Sequence, residues 1–299
     1  MEASSREFAR MHNEHLDPDR HDPALQQMEP FATFQPGYVA AMAPDFYRAV
    51  EAMSASGAKV MLRSPQHYYL ARSTIGTPTA QMLFGSAVHY GVLEPDIFPQ
   101  RVIVAPDVNR RSNAGRDELA AFNAANVGKI ILSGEDFLRC IECVNAVRAH
   151  PAAAKLLDGG EREGSMFWKD GQFNVPCKAR FDAMNRGGLI DLKTTVNAAP
   201  EEWGKQAANL LYHLQAAHYM NGAEAALNAT PEFFAFVCVE SDAPYAVACY
   251  VLPGAAISAG RVLCNIALER YAQALQAGVW PGYSPTIDVV PFPKWALRF

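Results

Sequence analysis

The stretch CKARFDAMNRGGLIDLKTT, residues 177–195, decides the fold predicted for this chain. It holds the end of one predicted strand, 174–184, and the whole of a second, 188–192, joined by a turn rich in Asn and Gly. Each of the two strands carries an acid near its end. Pairing of the strands through this turn would place Asp182 beside Asp191.

This pair of acids indicates a metal site, because two adjacent carboxylates repel each other and a divalent cation relieves the repulsion. Lys193 lies two residues after Asp191, so both side chains point to the same face of the strand. An ammonium there polarises a phosphoryl oxygen or lowers the pKa of an attacking water. Oxygen ligands suit Mg²⁺ or Mn²⁺ rather than zinc. The alternative is an ordinary solvated hairpin, since Asp-x-Lys alone is common; the apolar neighbours Ile190 and Leu192 favour the metal site.

The rest of the chain supplies further elements around this hairpin. Apolar spacing and capping residues predict helices, and short apolar runs between turn residues predict strands. Helices are predicted over 44–56, 64–72, 79–93, 133–150, 200–226 and 255–277, and strands over 101–105, 163–168, 174–184, 188–192, 233–240 and 245–252. This order predicts one α/β (α+β) domain with a central mixed β-sheet flanked by helices.

Composition excludes several classes of protein. Of the 299 residues, 50% are hydrophobic and 19% charged, which is too apolar for a disordered chain. No apolar run is long enough to span a bilayer, the N-terminus lacks the apolar stretch of a signal peptide, and the six cysteines suit reduced thiols, so we expect a cytoplasmic protein. A net charge of −5 argues against non-specific coating of nucleic acid but not against an enzyme that grips it locally.

Two regions are predicted from these patterns. Residues 1–36 are rich in His, Asp, Pro and Glu without an apolar period, which is typical of a mobile arm. Residues 37–299 form the folded domain.

Four segments in order give the chain a family resemblance. The segments ARFD and GLIDLKTT, with GSAVH at 85–89 upstream and QAAHY at 215–219 downstream, resemble the PD-(D/E)XK nuclease superfamily. Within it they are similar to the C-terminal nuclease of exonuclease VIII (RecE) and its phage relatives. The resemblance runs from about Leu62 to Tyr283, and the one visible departure is Phe181 in place of the leading proline.

The resemblance implies a restriction-endonuclease-like core and a set of site residues. Metal ligands would be Asp182, Asp191 and the carbonyl of Leu192, with His89 helping to hold a second ion; the metal would be Mg²⁺, with Mn²⁺ as substitute. Lys193 would position or activate the water. Gln215 and Tyr219, on one helix face, would lie near the site, with Tyr212 and His213 as further candidates for phosphate or stacking contacts. A buried structural histidine and plain helix packing are the alternatives for His89 and for Gln215 and Tyr219.

Further residues are weighed between binding and structural roles. Glu163, at the start of its strand, is implied to hold a metal-bound water or Lys178, and a structural role is equally open. Arg63 and Ser64 stand at a predicted helix N-terminus, a natural phosphate site; a cap and a solvated charge are the alternative. The residues implied to contact DNA or its 5′-phosphate are Arg63, Ser64, Lys178 and Arg180.

By resemblance, the chain is expected to be a Mg²⁺-dependent exonuclease acting on double-stranded DNA ends from 5′ to 3′. It would leave 3′ single strands for a RecT-like single-strand annealing protein, in a phage or prophage module of a bacterial host. It would form a homo-oligomeric ring, a tetramer or trimer, without membrane contact. The rivals are a Cas4-like or structure-specific endonuclease, and a catalytically inactive DNA-binding module. No iron–sulfur cluster is expected, because Cys140 and Cys143 fall on an amphipathic helix without further clustered cysteines.

Overall fold

The computed structural model describes residues 34–74 and 76–297. The predicted mobile arm, 1–36, lies outside these residues except for its last three positions. The chain separates into two compact units. The described part of the smaller unit contains one short helix, α1 (Pro44–Ala49), in which Arg48 pairs with Asp45 at 2.8 Å. All other elements belong to the larger unit, 35–42 and 52–299.

A six-stranded sheet forms the centre of the larger unit. Its order is β1-β4-β5-β6-β7-β8, and a separate parallel pair joins β2 to β3. Only the β6–β7 pair of the large sheet is parallel, which confirms the predicted mixed sheet. The strands are β1 (Gly37–Val39), β2 (Val102–Val104), β3 (Ile130–Leu132), β4 (Glu161–Lys169), β5 (Pro176–Asn185), β6 (Gly188–Thr195), β7 (Phe233–Glu240) and β8 (Val247–Val251).

Helices flank this sheet. They are α2 (Ala55–Arg63), α3 (Pro65–Ser73), α4 (Ala80–Leu93), α5 (Phe98–Arg101), α6 (Asn113–Ala125), α7 (Gly134–Ala149), α8 (Pro151–Leu157), α9 (Pro200–Asn209), α10 (Tyr212–Ala226) and α11 (Gly254–Ala277). None of the helices in the described ranges is both long enough and apolar enough to traverse a bilayer.

The structure corrects the predicted helices at three places. The helix predicted over 44–56 ends at Ala49, and α2, which was not predicted, begins after Ser54, whose Oγ accepts the N–H of Gly57. The helix predicted over 200–226 is two helices, because Leu211 adopts a left-handed conformation (φ 52°) between them. Helix α6, which begins at Asn113, lies where no helix was predicted.

The sheet buries a different set of side chains on each face, because successive residues of a strand point in opposite directions. Leu189 belongs to a core cluster with residues of α2, α10 and α11. Its neighbour Ile190 belongs to a second cluster with residues of α4, α7 and α8. Each fully buried apolar side chain of this size contributes about 1.5–3 kcal/mol, so helices are held on both faces of β6.

The predicted turn between β5 and β6 is confirmed. Arg186 and Gly187 both have positive φ (50° and 76°), as the tight turns of β-hairpins require. Beyond the turn the strands pair as far as Ala183 opposite Ile190 and then separate. At this opening the side chain of Asp182, rather than the backbone of β5, accepts the N–H of Leu192, at 2.7 Å. The opened end of this strand pair is the location of the candidate site.

Candidate active site

His89 on α4 meets the opened end of the β5–β6 pair. Its Nε2 lies 2.8 Å from the carbonyl oxygen of Leu192 and 3.2 Å from Oδ2 of Asp182. Burial lowers the pKa of His89, but Asp182, the Leu192 carbonyl and Glu163 outweigh burial and raise it to about 9. Asp182 shows the converse: burial raises its pKa, and the positive charges of His89 and Lys193 hold it below its usual value. The structure thus brings His89 together with Asp182 and Leu192, and metal binding by His89 stays a prediction.

Close packing between α4 and β6 brings His89 to this position. A Cβ added to Gly85 would lie 3.0 Å from Oγ1 of Thr194, and Ala87 is fully buried. The absence of a side chain at Gly85 therefore lets the helix backbone approach the strand. His89, one turn after Gly85, reaches the strand end as a result.

Glu163 approaches the same cluster from β4, through a distorted backbone. The strands β4 and β5 pair at Arg162 and again at Gly164 but not between, and Glu163 has φ 52°, a left-handed conformation unusual for a residue with a side chain. Its Oε1 lies 4.0 Å from Nδ1 of His89, and its Oε2 lies 3.8 Å from Nε of Arg180. Burial, followed by the charge of Asp182, raises the pKa of Glu163 to about 7.

The donor set fits a hard divalent cation. One ligand atom from each of His89, Glu163 and Asp182 lies within 4.8 Å of the others, and the Leu192 carbonyl adjoins them. Two crowded carboxylates, one of which is held partly protonated near neutral pH, are the arrangement that a bound cation relieves. Oxygen donors with a single imidazole suit Mg²⁺ or Mn²⁺.

Asp191 is placed differently from the other predicted ligands. It is 2% exposed, its Oδ2 forms an ion pair with Nζ of Lys193, and its Oδ1 accepts a hydrogen bond from Nε2 of Gln215 at 2.6 Å. It is not one of the three residues whose ligand atoms converge among those described. Ligation by Asp191 stays a prediction.

Lys193 is held in its charged form. Burial lowers its pKa, but Asp191 and Asp182 outweigh burial and raise it. Its Nζ also lies 5.1 Å from the centre of the Tyr212 ring, within range of a cation–π contact. A lysine that remains protonated donates hydrogen bonds and stabilises negative charge, and it is unsuited to accept a proton.

The remaining predicted residues occupy varied positions. Arg180 donates from Nε to Oγ of Ser165 at 3.2 Å, which holds its guanidinium beside the cluster. Lys178 is 7% exposed. The predicted contacts of Lys178 and Arg180 with DNA stay predictions. Tyr219 packs edge-on against Phe234, with ring centres 6.1 Å apart.

Arg63 and Ser64 lie at the junction of α2 and α3. Ser64 is buried and caps α3: its Oγ accepts the N–H of His67 at 3.2 Å and lies 2.6 Å from Nδ1 of the same residue. Arg63 donates from Nε to Oη of Tyr283 at 3.2 Å. The capping role of Ser64 is thus present, and phosphate binding by the pair stays a prediction.

Sequence reasoning missed Lys59, whose Nζ lies 4.9 Å from the centre of the same Tyr212 ring. The residue was missed because α2 itself was not predicted. The cap Ser54, followed by an apolar stripe at Ala55, Ala58 and Met61, was the signal that could have revealed the helix.

Cys140 and Cys143 lie in the core on α7. Both thiols are free and buried, and burial raises their pKa values to about 12 and about 11. Such thiols are poor sources of the thiolate that a cluster needs. Their position agrees with a role in packing.

Comparison with known proteins assigns the chain to one family. The family described as "PDDEXK-like domain of unknown function (DUF3799)" matches residues 54–291, most of the chain. No curated protein matches it. The crystal structure of a protein from Eubacterium rectale, titled "Putative exonuclease", is similar over 87% of this chain and 98% of that one, with a TM-score of 0.54 and 13% identity. At this identity the similarity bears on the fold.

Proposed function

Because this chain belongs to the PDDEXK-like family, and with it to the PD-(D/E)XK nuclease superfamily, we propose that it is a metal-dependent exonuclease that hydrolyses phosphodiester bonds of double-stranded DNA. One observation carries the proposal. The cluster of His89, Glu163 and Asp182, suited to a divalent cation, adjoins the charged pair of Asp191 and Lys193.

The proposed metal is Mg²⁺, with Mn²⁺ as a substitute, held by His89, Asp182, Glu163 and the Leu192 carbonyl. A divalent cation there would supply electrostatic stabilisation of the attacking and leaving oxygens in phosphoryl transfer. The two carboxylates and the carbonyl offer the oxygen donors that it prefers.

The chain's own residues would perform the rest. The Lys193 ammonium, kept charged by Asp191 and Asp182, would donate hydrogen bonds to a non-bridging phosphate oxygen and orient the attacking water. Gln215 would keep the carboxylate of Asp191 turned toward Lys193 through its 2.6 Å hydrogen bond. Such fixed donors need no rearrangement as charge develops on the phosphate.

The direction and context of the reaction rest on the motif resemblance. The proposed enzyme digests linear duplexes from the 5′ end and leaves 3′ single strands for a RecT-like annealing protein in the bacterial cytoplasm. A homo-oligomeric ring, a tetramer or trimer, would hold the DNA. The Eubacterium rectale protein of similar fold is named an exonuclease, the class of activity that we propose.

The proposal is tested on linear and covalently closed duplex DNA with Mg²⁺. Wild-type protein should digest the linear form alone. Asp191→Ala and Lys193→Ala should each lose at least about 100-fold in rate, the usual scale for one electrostatic group at a reaction centre. The exposed Asp117→Ala and Lys129→Ala are matched controls with no expected effect.

Three results would contradict specific parts of the proposal. Equal digestion of closed circles would indicate an endonuclease. Full activity of both site variants would remove the site assignment. A wild-type protein that binds DNA without cutting it in any divalent cation would indicate an inactive binding module. End-labelled duplexes report the polarity.

A further inference from the structure

Lys59 on α2 faces the Asp191–Lys193 pair across a shared aromatic ring. The ammonium groups of Lys59 and Lys193 lie 4.9 Å and 5.1 Å from the centre of the Tyr212 ring. Lys59 therefore belongs to the edge of the candidate site, although it lies outside the sequence motifs.

The charge at this edge is unbalanced. The carboxylate of Asp191 is already paired with Lys193, and within the described ranges Lys59 has no ion pair of its own. His213, the next residue after Tyr212, lies near Lys59: burial and the Lys59 charge lower its pKa, so the imidazole stays neutral and does not balance the Lys59 charge. Asp191 is thus the one carboxylate that attracts both ammonium groups.

This imbalance has a cost in free energy. Burial, followed by the charge of Lys193, lowers the pKa of Lys59 to about 8. A partly buried cation beside a second cation, without a counter-ion, is unfavourable unless an anion arrives. One more negative group next to Lys193 would therefore offset positive charge at this edge of the site.

Positively charged residues continue along α2 beyond Lys59. Arg63, one turn further along α2, lies on the same helix face. Both residues line a groove of about 550 Å³ together with His67. Arg63 also lines a second cavity of about 570 Å³ that contains Arg270. A polyanion leaving the Lys193 side of the site would meet Lys59 first and Arg63 next.

We propose that Lys59 binds the phosphate adjacent to the scissile phosphate, with one DNA strand lying along α2 from Lys193 toward Arg63. The inference rests on the proposed nuclease function and adds a substrate contact to it. A charge-assisted hydrogen bond of this kind contributes enough that its loss lowers kcat/KM by roughly 10- to 100-fold.

The first test compares variants of Lys59 in the full chain with Mg²⁺ and linear duplex. Lys59→Gln should lose roughly 10- to 100-fold in kcat/KM, and Lys59→Arg should recover to within about 3-fold of wild type. Lys129→Gln, which removes one exposed positive charge elsewhere, is the control. Thermal unfolding checks folding, and Lys59→Met replaces Lys59→Gln should the latter unfold.

The second test locates the contact. Oligonucleotide duplexes carry a single neutral methylphosphonate at successive linkages from each end, and kcat/KM is measured for each. At one linkage beside the cut bond, wild type should lose about 10-fold and Lys59→Gln less than about 2-fold, because the charge partner is already missing. Arg63→Gln should become insensitive at a linkage further from the cut.

The outcomes separate the two proposals. If wild type cuts DNA but Lys59→Gln matches Lys129→Gln, or has the same methylphosphonate profile as wild type, the Lys59 contact is overturned and the nuclease function stands. If wild type neither binds nor cuts DNA, both are overturned. A position-specific loss of sensitivity in Lys59→Gln establishes the contact.

Discussion

The side-chain amide of Gln215 on α10 donates a 2.6 Å hydrogen bond to Oδ1 of Asp191 on β6, and both residues are buried. The other oxygen of Asp191 pairs with Lys193. One helix residue thus orients the acid that holds the lysine charged, although Gln215 lies 24 residues from Asp191 in the chain.

Gln215→Leu should therefore impair the reaction more than substrate binding. Removing a partner from a buried charge costs about 1–3 kcal/mol, which predicts a fall in kcat of roughly 10- to 100-fold with little change in KM. Steady-state kinetics on linear duplex measures both constants. Gln172→Leu, in the exposed β4–β5 turn, is the control. A rise in KM alone would show that Gln215 acts in binding.

Divalent cations should stabilise the protein through Glu163 and Asp182. A ligand that binds only the folded state at 100 times its dissociation constant adds about 2.7 kcal/mol, so millimolar Mg²⁺ or Mn²⁺ should raise the midpoint of thermal unfolding by several degrees. Glu163→Gln and Asp182→Asn should lose most of this increase. Exposed Glu118→Gln should retain it. An undiminished increase in both site variants would place the cation elsewhere.

His218 should make stability depend on pH. Burial lowers its pKa to about 4, with its Nε2 3.0 Å from the Lys178 carbonyl and its ring against Trp168. In the unfolded chain, the pKa of this histidine is near 6.5. Between pH 6.5 and 4 the unfolded chain therefore binds more protons than the folded protein, and the free energy of unfolding falls as the pH falls through that window.

The matched variant is His218→Gln. Its free energy of unfolding should lie below that of wild type at pH 7.5, and the gap should narrow by about 2–3 kcal/mol at pH 4.5. Denaturant titration at several pH values measures it. A gap that stays constant with pH would mean that His218 keeps an ordinary pKa in the folded protein.

Gly164→Ala should destabilise the strand pair that carries Glu163. An added Cβ would lie 2.2 Å from Cζ of Phe181, whereas at Gly171 nothing lies within 4 Å. Overpacking of this kind costs about 1–3 kcal/mol. Gly171→Ala should change stability by less than about 0.5 kcal/mol. Denaturant titration compares the two; equal effects would show that Phe181 moves aside without cost.

The sequence alone predicted much of the fold and part of the site. The hairpin of β5 and β6, its turn, and β7 were predicted near their observed bounds, because alternation of apolar residues and turn chemistry are local signals. The break at Leu211 was not predicted, because a left-handed conformation does not follow from the propensity of leucine. Helix α2 was also not predicted, although its cap Ser54 and its apolar stripe are local signals. Lys59 was missed because it lies on α2.

What the sequence by itself determined is the set of chemical groups and their order along the chain. Asp182, Asp191 and Lys193 stand at strand positions that place them at one end of a hairpin, whatever surrounds it. The family resemblance added His89 and Gln215 to the predicted site residues but did not predict their hydrogen-bond partners.

Tertiary structure decided which groups meet. The separation of β5 from β6 at Asp182, the left-handed backbone at Glu163 and the close approach of α4 at Gly85 set the proposed cation ligands. The hydrogen bond from Gln215 orients Asp191 toward Lys193. These outcomes depend on contacts between residues distant in the chain, whose energies depend on shape and burial that no local pattern encodes.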